Sequence, residues 1–499
     1  MNELGKKMAK GAIWTILLRI SRRAIGLVST VILARLLVPA DFGLVAMATS
    51  IIAALELLGA FSFDVALIHN QNAKREHFDT AWTCNVVFCV CSSLILLLLA
   101  APASRFYGEL RLEGVMYALA LGTLVQGFAN IGLVRFQKEL EFGKEFRFVL
   151  AKALTGFTVT VSLAFYFRNY WALIAGMLCS NFCGVVLSYC MQSYRPRFSL
   201  AAGHDLFRFS KWLLGNNILS FLNTRSSDFI IAKVAGPHSL GVFGVGFEIA
   251  TLPTTELIAP INRAVFPGYA KMSHDPGGLK QGFLNVLSVI SLFALPAGAG
   301  IAAIAAPLVS VVLGAKWADS VAIISILAGY GTLTALQSNA GYVFLALGKP
   351  KVLTCLIGAQ VILRIPLLVL GITYHGVIGA AWALLISEAI RIPFSYLLIL
   401  RVLGLRLASI TKVIWRPVIA SCAMVWALRC LQDFWVPSAD LTNELIQLAV
   451  LIVAGALAYI TTVAALWKLS LSPNGAEKYI FAQLRESWAS MRMALKGQK

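Results

Sequence analysis

The chain has 499 residues, 59% of them hydrophobic and only 13% charged, with a formal net charge of +19 and a mean hydropathy of +0.79. A soluble globular domain carries about 25% charged residues, so the composition excludes one and points to the membrane. The positive excess does not mark a nucleic-acid partner, because the basic residues sit in short connections between apolar runs, as cytoplasmic anchoring requires.

The apolar runs are about 20 residues long, enough to cross a ~30 Å hydrocarbon core as helices. Their length and number argue against a cleaved signal peptide, and the alternation of an outer-membrane barrel is absent. The fold class expected is an all-α integral membrane protein of about fourteen transmembrane helices. In chain order the spans fall near 11–37, 43–68, 82–104, 114–134, 147–167, 170–191, 209–235, 240–266, 282–306, 318–347, 352–373, 376–400, 412–432 and 444–467, the eighth and tenth carrying polar and glycine interruptions.

Lys and Arg are dense in alternate connections, from Lys6, Lys7 and Lys10 through Lys74 and Arg75 to Lys412 and Arg416. The other connections hold only Arg35, Arg105, Arg111, Arg168, Lys233, Lys316 and Arg429. That bias puts both termini in the cytoplasm. The outer connections are too short for a folded extracytoplasmic domain. After Ser472 a stripe of Ile480, Leu484, Trp488, Met491 and Leu495, ringed by Lys and Arg, reads as an amphipathic helix on the cytoplasmic leaflet.

ILARLLVPADFG at 32–43 recurs as IIAKVAGPHSLG at 230–241, sharing Ile32/Ile230, Ala34/Ala232, Arg35/Lys233, Pro39/Pro237 and Gly43/Gly241. Trp171-Ala172-Leu173 recurs as Trp382-Ala383-Leu384. The expected organisation is two pseudo-symmetric six-helix lobes in the same orientation, residues 1–198 and 199–405. Two further spans over 406–470 and the cytoplasmic tail 471–499 complete it.

Candidate binding residues are the charges inside spans, since such charges normally face a cavity or a partner. On the first helix Thr15, Arg19, Arg22, Arg23, Gly26, Ser29 and Thr30 share one face. The arginines begin ~14 Å beyond Lys10, too deep for all of them to snorkel. Either they line an anion-binding groove or they pair with acids such as Glu56 and Asp64. Asn217, Thr224, Arg225 and Asp228 share a face of the seventh span, where Arg225 and Asp228 can also pair with each other. Lys152, Arg364 and the Glu388/Arg391 pair are further intramembrane charges, the last two spaced to neutralise one another. Glu248 and Glu256 are candidates for titration in proton or sodium coupling. The nine cysteines lie mostly in apolar runs and read as structural, and no metal site or cofactor is expected.

ARLLVPADFGLVAMA (34–48), DTAWTCN (79–85), LVRFQKELEF (133–142), FSKWLLGNNILSFLNTRSSDFIIAKVAGPHSLGVF (209–243) and the prolines and aromatics of 252–267 resemble the polysaccharide flippase (Wzx) family. The branch they resemble is the one typified by the colanic acid exporter, within the multidrug/oligosaccharidyl-lipid/polysaccharide superfamily. The resemblance covers most of residues 5–470. It implies two six-helix lobes around a central cavity plus two C-terminal helices, in a bacterial inner membrane. It also implies a substrate of undecaprenyl-pyrophosphate-linked oligosaccharide, moved from the cytoplasmic to the periplasmic leaflet for exopolysaccharide or lipopolysaccharide synthesis. Membrane lipids and other polysaccharide assembly proteins are the partners expected of a functional monomer. Asp228 lies inside a matching motif; the arginine triad lies outside the regular part of the pattern and stands on the physical argument alone. Two other classes compete. A cation-coupled drug or metabolite exporter of the same superfamily would favour an acidic cavity, whereas this one is basic. A membrane polysaccharide polymerase or ligase would need an outer acceptor site that the short outer connections do not build. The chain is therefore read as a transporter and not an enzyme.

Overall fold

The structure is a computed structural model and describes residues 3–58, 66–68, 72–435 and 441–470, with side chains placed for all of these except 3–9, 58, 204–217 and 263. The tail helix expected beyond Ser472 and the carboxylate of Asp64 lie outside the described residues. All regular structure among the described residues is helical. Among the described residues, ten helices are long and apolar enough to cross a membrane, or up to eleven if one bent pair counts as a single span. Large apolar side chains such as Leu98, Ile362 and Trp426 stand more than 70% exposed, which suits lipid and not water as the surrounding solvent. The chain is an all-α integral membrane protein.

It divides into two compact units, residues 1–244 and 245–499. The packing division falls near the end of a long helix, whereas the repeat read from the sequence begins at 199. Unit 1 contains α1 (Glu3–Leu36), α2 (Pro39–Leu58), α3 (Arg75–Tyr107), α4 (Arg111–Gly127), α5 (Val134–Lys138), α6 (Phe142–Phe167), α7 (Trp171–Met191) and most of α8 (Gly203–Ala250). Within it α6 packs on α7 and α1, and α4 packs on α3 and α7. Unit 2 contains α9 (Ala259–Lys271), α10 (Pro276–Ala303), α11 (Ala305–Val312), α12 (Ser320–Ala346), α13 (Pro350–Leu403), α14 (Leu407–Asp433) and α15 (Leu441–Leu469). Here α12 packs on α13 and α10, and α14 on α10 and α15. One core of it joins Tyr269, Phe283, Leu287, Val343, Phe344 and Ile399.

Local chemistry explains where the chain turns. At 48 and 54 residues, α8 and α13 would be ~70–80 Å long if straight, more than twice the hydrocarbon thickness. Both are broken. In α8 the break is Gly236, at φ 77° and ψ −177°, a conformation that costs a side chain dearly and glycine little; Pro237 then starts the second limb without needing a helical N–H partner. In α13 it is His375 and Gly376, the latter at φ 57°. The eighth span, expected to run 240–266, is interrupted instead. Pro253 supplies no N–H, and the chain widens into a π turn over Thr254–Ile258 before α9. The fourth span ends earlier than expected, at Gly127, and bends by 62° into residues 131–138. Asn130 stabilises this bend by accepting the Gly132 N–H at 2.9 Å.

Candidate functional site

Of the sequence-predicted cations, Arg19 and Arg23 are half-buried on α1 and Arg22 is exposed. Packing of α1 on α6 sets their surroundings: the rings of Trp14 and Phe146 meet at 5.0 Å, and Gly11 lies against the ring of Phe142. That contact brings Arg22 into electrostatic reach of Lys152 on α6. Lys152 has room because the next helix offers no side chain there: a methyl built on Gly184 of α7 would sit 3.1 Å from its Cδ. Arg22 makes no ion pair among the described residues. Two cations thus stand on packed helices of hydrocarbon length, where charges normally face a cavity or a partner.

A second group lies on α2 and α8. Arg225 Nη1 is 3.0 Å from Asp228 Oδ2, and the same oxygen accepts from Ser50 Oγ on α2 at 3.3 Å. Glu56, also on α2, acts electrostatically on Arg225. The acid that could have served the α1 arginines thus stands beside Arg225. Two carboxylates share this arginine, so Arg225 and Asp228 tie α8 to α2 while Arg225 keeps 48% of its side-chain surface exposed. The side chain of Asn217 lies outside the described residues, although its backbone is helical. Sequence reasoning missed Ser50, a small hydroxyl in an apolar run that signals nothing until Asp228 is opposite it.

The duplicated motif meets itself. A methyl built on Gly43 would lie 1.7 Å from the Pro237 carbonyl oxygen, and one on Gly241 would lie 1.9 Å from that of Pro39. The start of α2 and the start of the second limb of α8 therefore touch backbone to backbone, reciprocally. Pro39 and Pro237 are thereby brought close together.

DTAWTCN has a structural role that the sequence did not disclose. Asp79 is 5% exposed and holds the connection after α7: it accepts from the Tyr194 hydroxyl and from the Arg197 N–H at 2.9 Å. Thr83 accepts from Ser199 N–H at 3.0 Å, and Thr80 from Ala202 N–H at 3.2 Å. Arg135 stacks on Phe78 and Tyr194 at 5.1 and 5.2 Å. Burial first, then the hydrogen bond to Asp79, pushes the Tyr194 phenol well above its usual range.

In unit 2 the expected Glu388–Arg391 pair is present and larger than expected. Glu388 is fully buried and also accepts from Gln360 at 2.6 Å, with Arg364 Nη2 3.7 Å away; Arg391 completes the set. Arg364 donates to Ser387 at 3.4 Å and stacks on Tyr330. Among the described residues no group of three His, Cys, Asp or Glu side chains is placed to hold a metal.

The sequence profile of a polysaccharide biosynthesis protein family matches residues 32–322, from the end of α1 to the start of α12. The chain belongs to that family. It is 26% identical over 419 residues to the lipopolysaccharide biosynthesis protein WzxC of Escherichia coli strain K12, covering 83% of this chain and 85% of that one. Its fold is that of the lipid II flippase MurJ in an inward closed conformation, with a TM-score of 0.74 at 14% identity over 92% of this chain and 100% of the other. An inward-facing multidrug resistance MATE family transporter of the MOP superfamily follows the same fold at a TM-score of 0.57 and 15% identity, over 77% of this chain and 95% of that one. The sequence comparisons lead to polysaccharide biosynthesis, as the motifs imply.

Proposed function

We propose that this chain is a flippase for polyprenyl-pyrophosphate-linked oligosaccharide, carrying it from the cytoplasmic to the periplasmic leaflet of a bacterial inner membrane by alternating access. The observation that carries the reading is the unneutralised pair Arg22 and Lys152 on facing helices, with Arg19 and Arg23 on the same helix. Hydrocarbon rejects the pyrophosphate charge and leaves glycan hydroxyls unsatisfied. Arginine meets the first need with a planar fork that binds phosphate oxygens two at a time, and the Ser and Thr side chains of α1 suit the second. The polyprenyl tail stays in lipid throughout. The role named in WzxC, lipopolysaccharide biosynthesis, and the lipid II flippase activity named for MurJ support a lipid-linked glycan as cargo.

In this reading the repeat supplies two six-helix lobes, with both termini cytoplasmic. Counting α1, the bent pair and each limb of the two broken helices as crossings gives the fourteen spans expected from the sequence. The reciprocal contact of Pro39–Gly43 with Pro237–Gly241 is the closed outer end. Transport needs no cofactor and draws on a proton or sodium gradient, with Glu56 and Asp228 as the carboxylates grouped on Arg225.

The test is uptake of a lipid-linked oligosaccharide into the lumen of proteoliposomes, normalised to folded protein. Arg22→Lys should impair uptake despite its retained charge, because an ammonium lacks the planar fork, and Arg22→Glu should impair it further. Normal uptake by the Arg19/Arg22/Arg23 triple-alanine variant would refute the site.

A further inference from the structure

The two limbs of α13 enclose a groove of about 540 Å³ that the transport reading does not use. Leu356, Leu363, Ile390, Phe394 and Leu397 give it an apolar wall, and Arg391 and Arg401 line it as well. Phe394 and Leu397 are more than half exposed, so the wall opens to the lipid that surrounds a spanning helix. Arg401 lies in the last turn of α13, ten residues and hence ~15 Å of helix beyond Arg391. The groove therefore runs from a cation at the helix end to a buried polar patch deeper in the hydrocarbon.

That patch is not satisfied internally. Gln360 is 3% exposed and gives its amide N–H to Glu388, which leaves its Oε1 without a hydrogen-bond partner. Arg391 Nε lacks one as well. Each such atom in a low-dielectric interior costs about 1–3 kcal/mol. Charge is also left over. Arg401, which lines the groove, makes no hydrogen bond or ion pair among the described residues. The groove is thus cationic, with one unmet donor and one unmet acceptor beneath an apolar wall.

We propose that this groove is a binding site for an anionic phospholipid of the surrounding bilayer, of the phosphatidylglycerol type. Its phosphate sits at Arg401 and its ester oxygens face the deeper Arg391. The acyl chains cover Leu356, Phe394 and Leu397. Charge complementarity selects an anion, and the apolar wall selects an amphiphile over a free phosphate. A zwitterionic headgroup sets its own cation against Arg401 and is disfavoured.

Full-length protein, delipidated in detergent, is titrated with phosphatidylglycerol or phosphatidylcholine, and bound lipid is counted by native mass spectrometry. One phosphatidylglycerol should bind with a preference of about tenfold over phosphatidylcholine. Arg401→Gln should lower that preference below about twofold, while Arg406→Gln, a charge outside the groove, should leave it intact. Arg401 is exposed and unpaired, so the variant's melting temperature without lipid should match that of the unaltered protein. Equal occupancy by the two lipids overturns the proposal, as does an Arg401→Gln variant that binds like the parent or an Arg406→Gln variant that loses the preference equally. Undecaprenyl phosphate is the competing occupant: if it displaces phosphatidylglycerol at equal or lower concentration, the groove belongs to the carrier lipid and the assignment is wrong. Because binding and not uptake is read, failure here leaves the transport reading untouched, and the reverse holds.

Discussion

Replacing Gly43 with alanine should drive apart the two chain segments that the duplicated motif brings together. The added methyl would lie 1.7 Å from the Pro237 carbonyl oxygen and 2.9 Å from the Gly241 nitrogen. Both are backbone atoms, so no rotamer change relieves the clash. Relief requires the helix starts to part by roughly 1.5 Å, and overpacking of this kind costs about 1–3 kcal/mol. If the contact exists only while the outer end is closed, that cost falls on the closed state alone and shifts its population by roughly 5- to 150-fold. Met47, one turn further along α2 and 1% exposed, reports the change. In a cysteine-free background carrying Met47→Cys, an impermeant maleimide should react faster from outside by a comparable factor in Gly43→Ala and equally in Gly241→Ala. Gly358→Ala is the control, since nothing lies within 4 Å of its added methyl. Unchanged labelling in folded Gly43→Ala protein would refute the idea that these ends separate.

Three further outcomes follow from the same geometry. Lys152→Met should raise the melting temperature of the empty protein, by removing one of two like charges held together, and should lower glycolipid uptake at least tenfold; uptake at the parental level would remove Lys152 from the site. Tyr194→Phe leaves the buried Asp79 one donor short and should cost about 1–3 kcal/mol in thermal unfolding. In the parent the raised Tyr194 phenol contributes stability below its unfolded pKa of about 10 that is lost at higher pH, so alkaline destabilisation should be shallower in Tyr194→Phe; identical slopes would dismiss the phenol's part. Glu388→Gln removes the charge that Arg364 and Arg391 pair with and should cost about 3–5 kcal/mol, read as lost yield of folded protein, and a silent substitution would show the network is not structural.

Much of the helical layout is legible in the sequence because hydrophobic periodicity and turn residues are local signals. Gly236-Pro237 and His375-Gly376 mark breaks that divide two over-long helices, and both lie where the apolar runs pause. Pro253 is equally visible, but its consequence is a π turn rather than a bend, because only the neighbouring bonds widen. The site is legible by half. Arg19, Arg22 and Arg23 share a helical face by arithmetic, yet Lys152, which Arg22 acts on, is 130 residues further along the chain, and nothing but packing of α1 on α6 selects it. The reciprocal approach of Gly43 and Gly241 is invisible for a different reason: it is a backbone contact, and a repeat reveals equivalent positions without saying that they touch. DTAWTCN was recognisable as a motif and silent as to role, because its partners Tyr194, Arg197 and Ser199 lie in a connection with no periodicity.

The two intramembrane charge arrangements solve opposite problems with the same residue types. In unit 2, Glu388 is 0% exposed and collects donors from Gln360, Arg364 and Arg391. A carboxylate so surrounded fixes its helices, and breaking the set is costly because a charge is then left alone. In unit 1, Arg22 and Lys152 face each other with like charge. Like charges held near each other repel, the more so where the surrounding dielectric is low. No folding advantage offsets that repulsion, and a methionine at 152 would fill the same space without it. The arrangement gains only when something negative lies between the two, at which point repulsion becomes attraction to a common anion. A transporter needs such a site to bind while facing one leaflet and to let go while facing the other. A saturated network like that of Glu388 has no reason to release, whereas a pair of cations relaxes toward solvent as soon as the anion can leave.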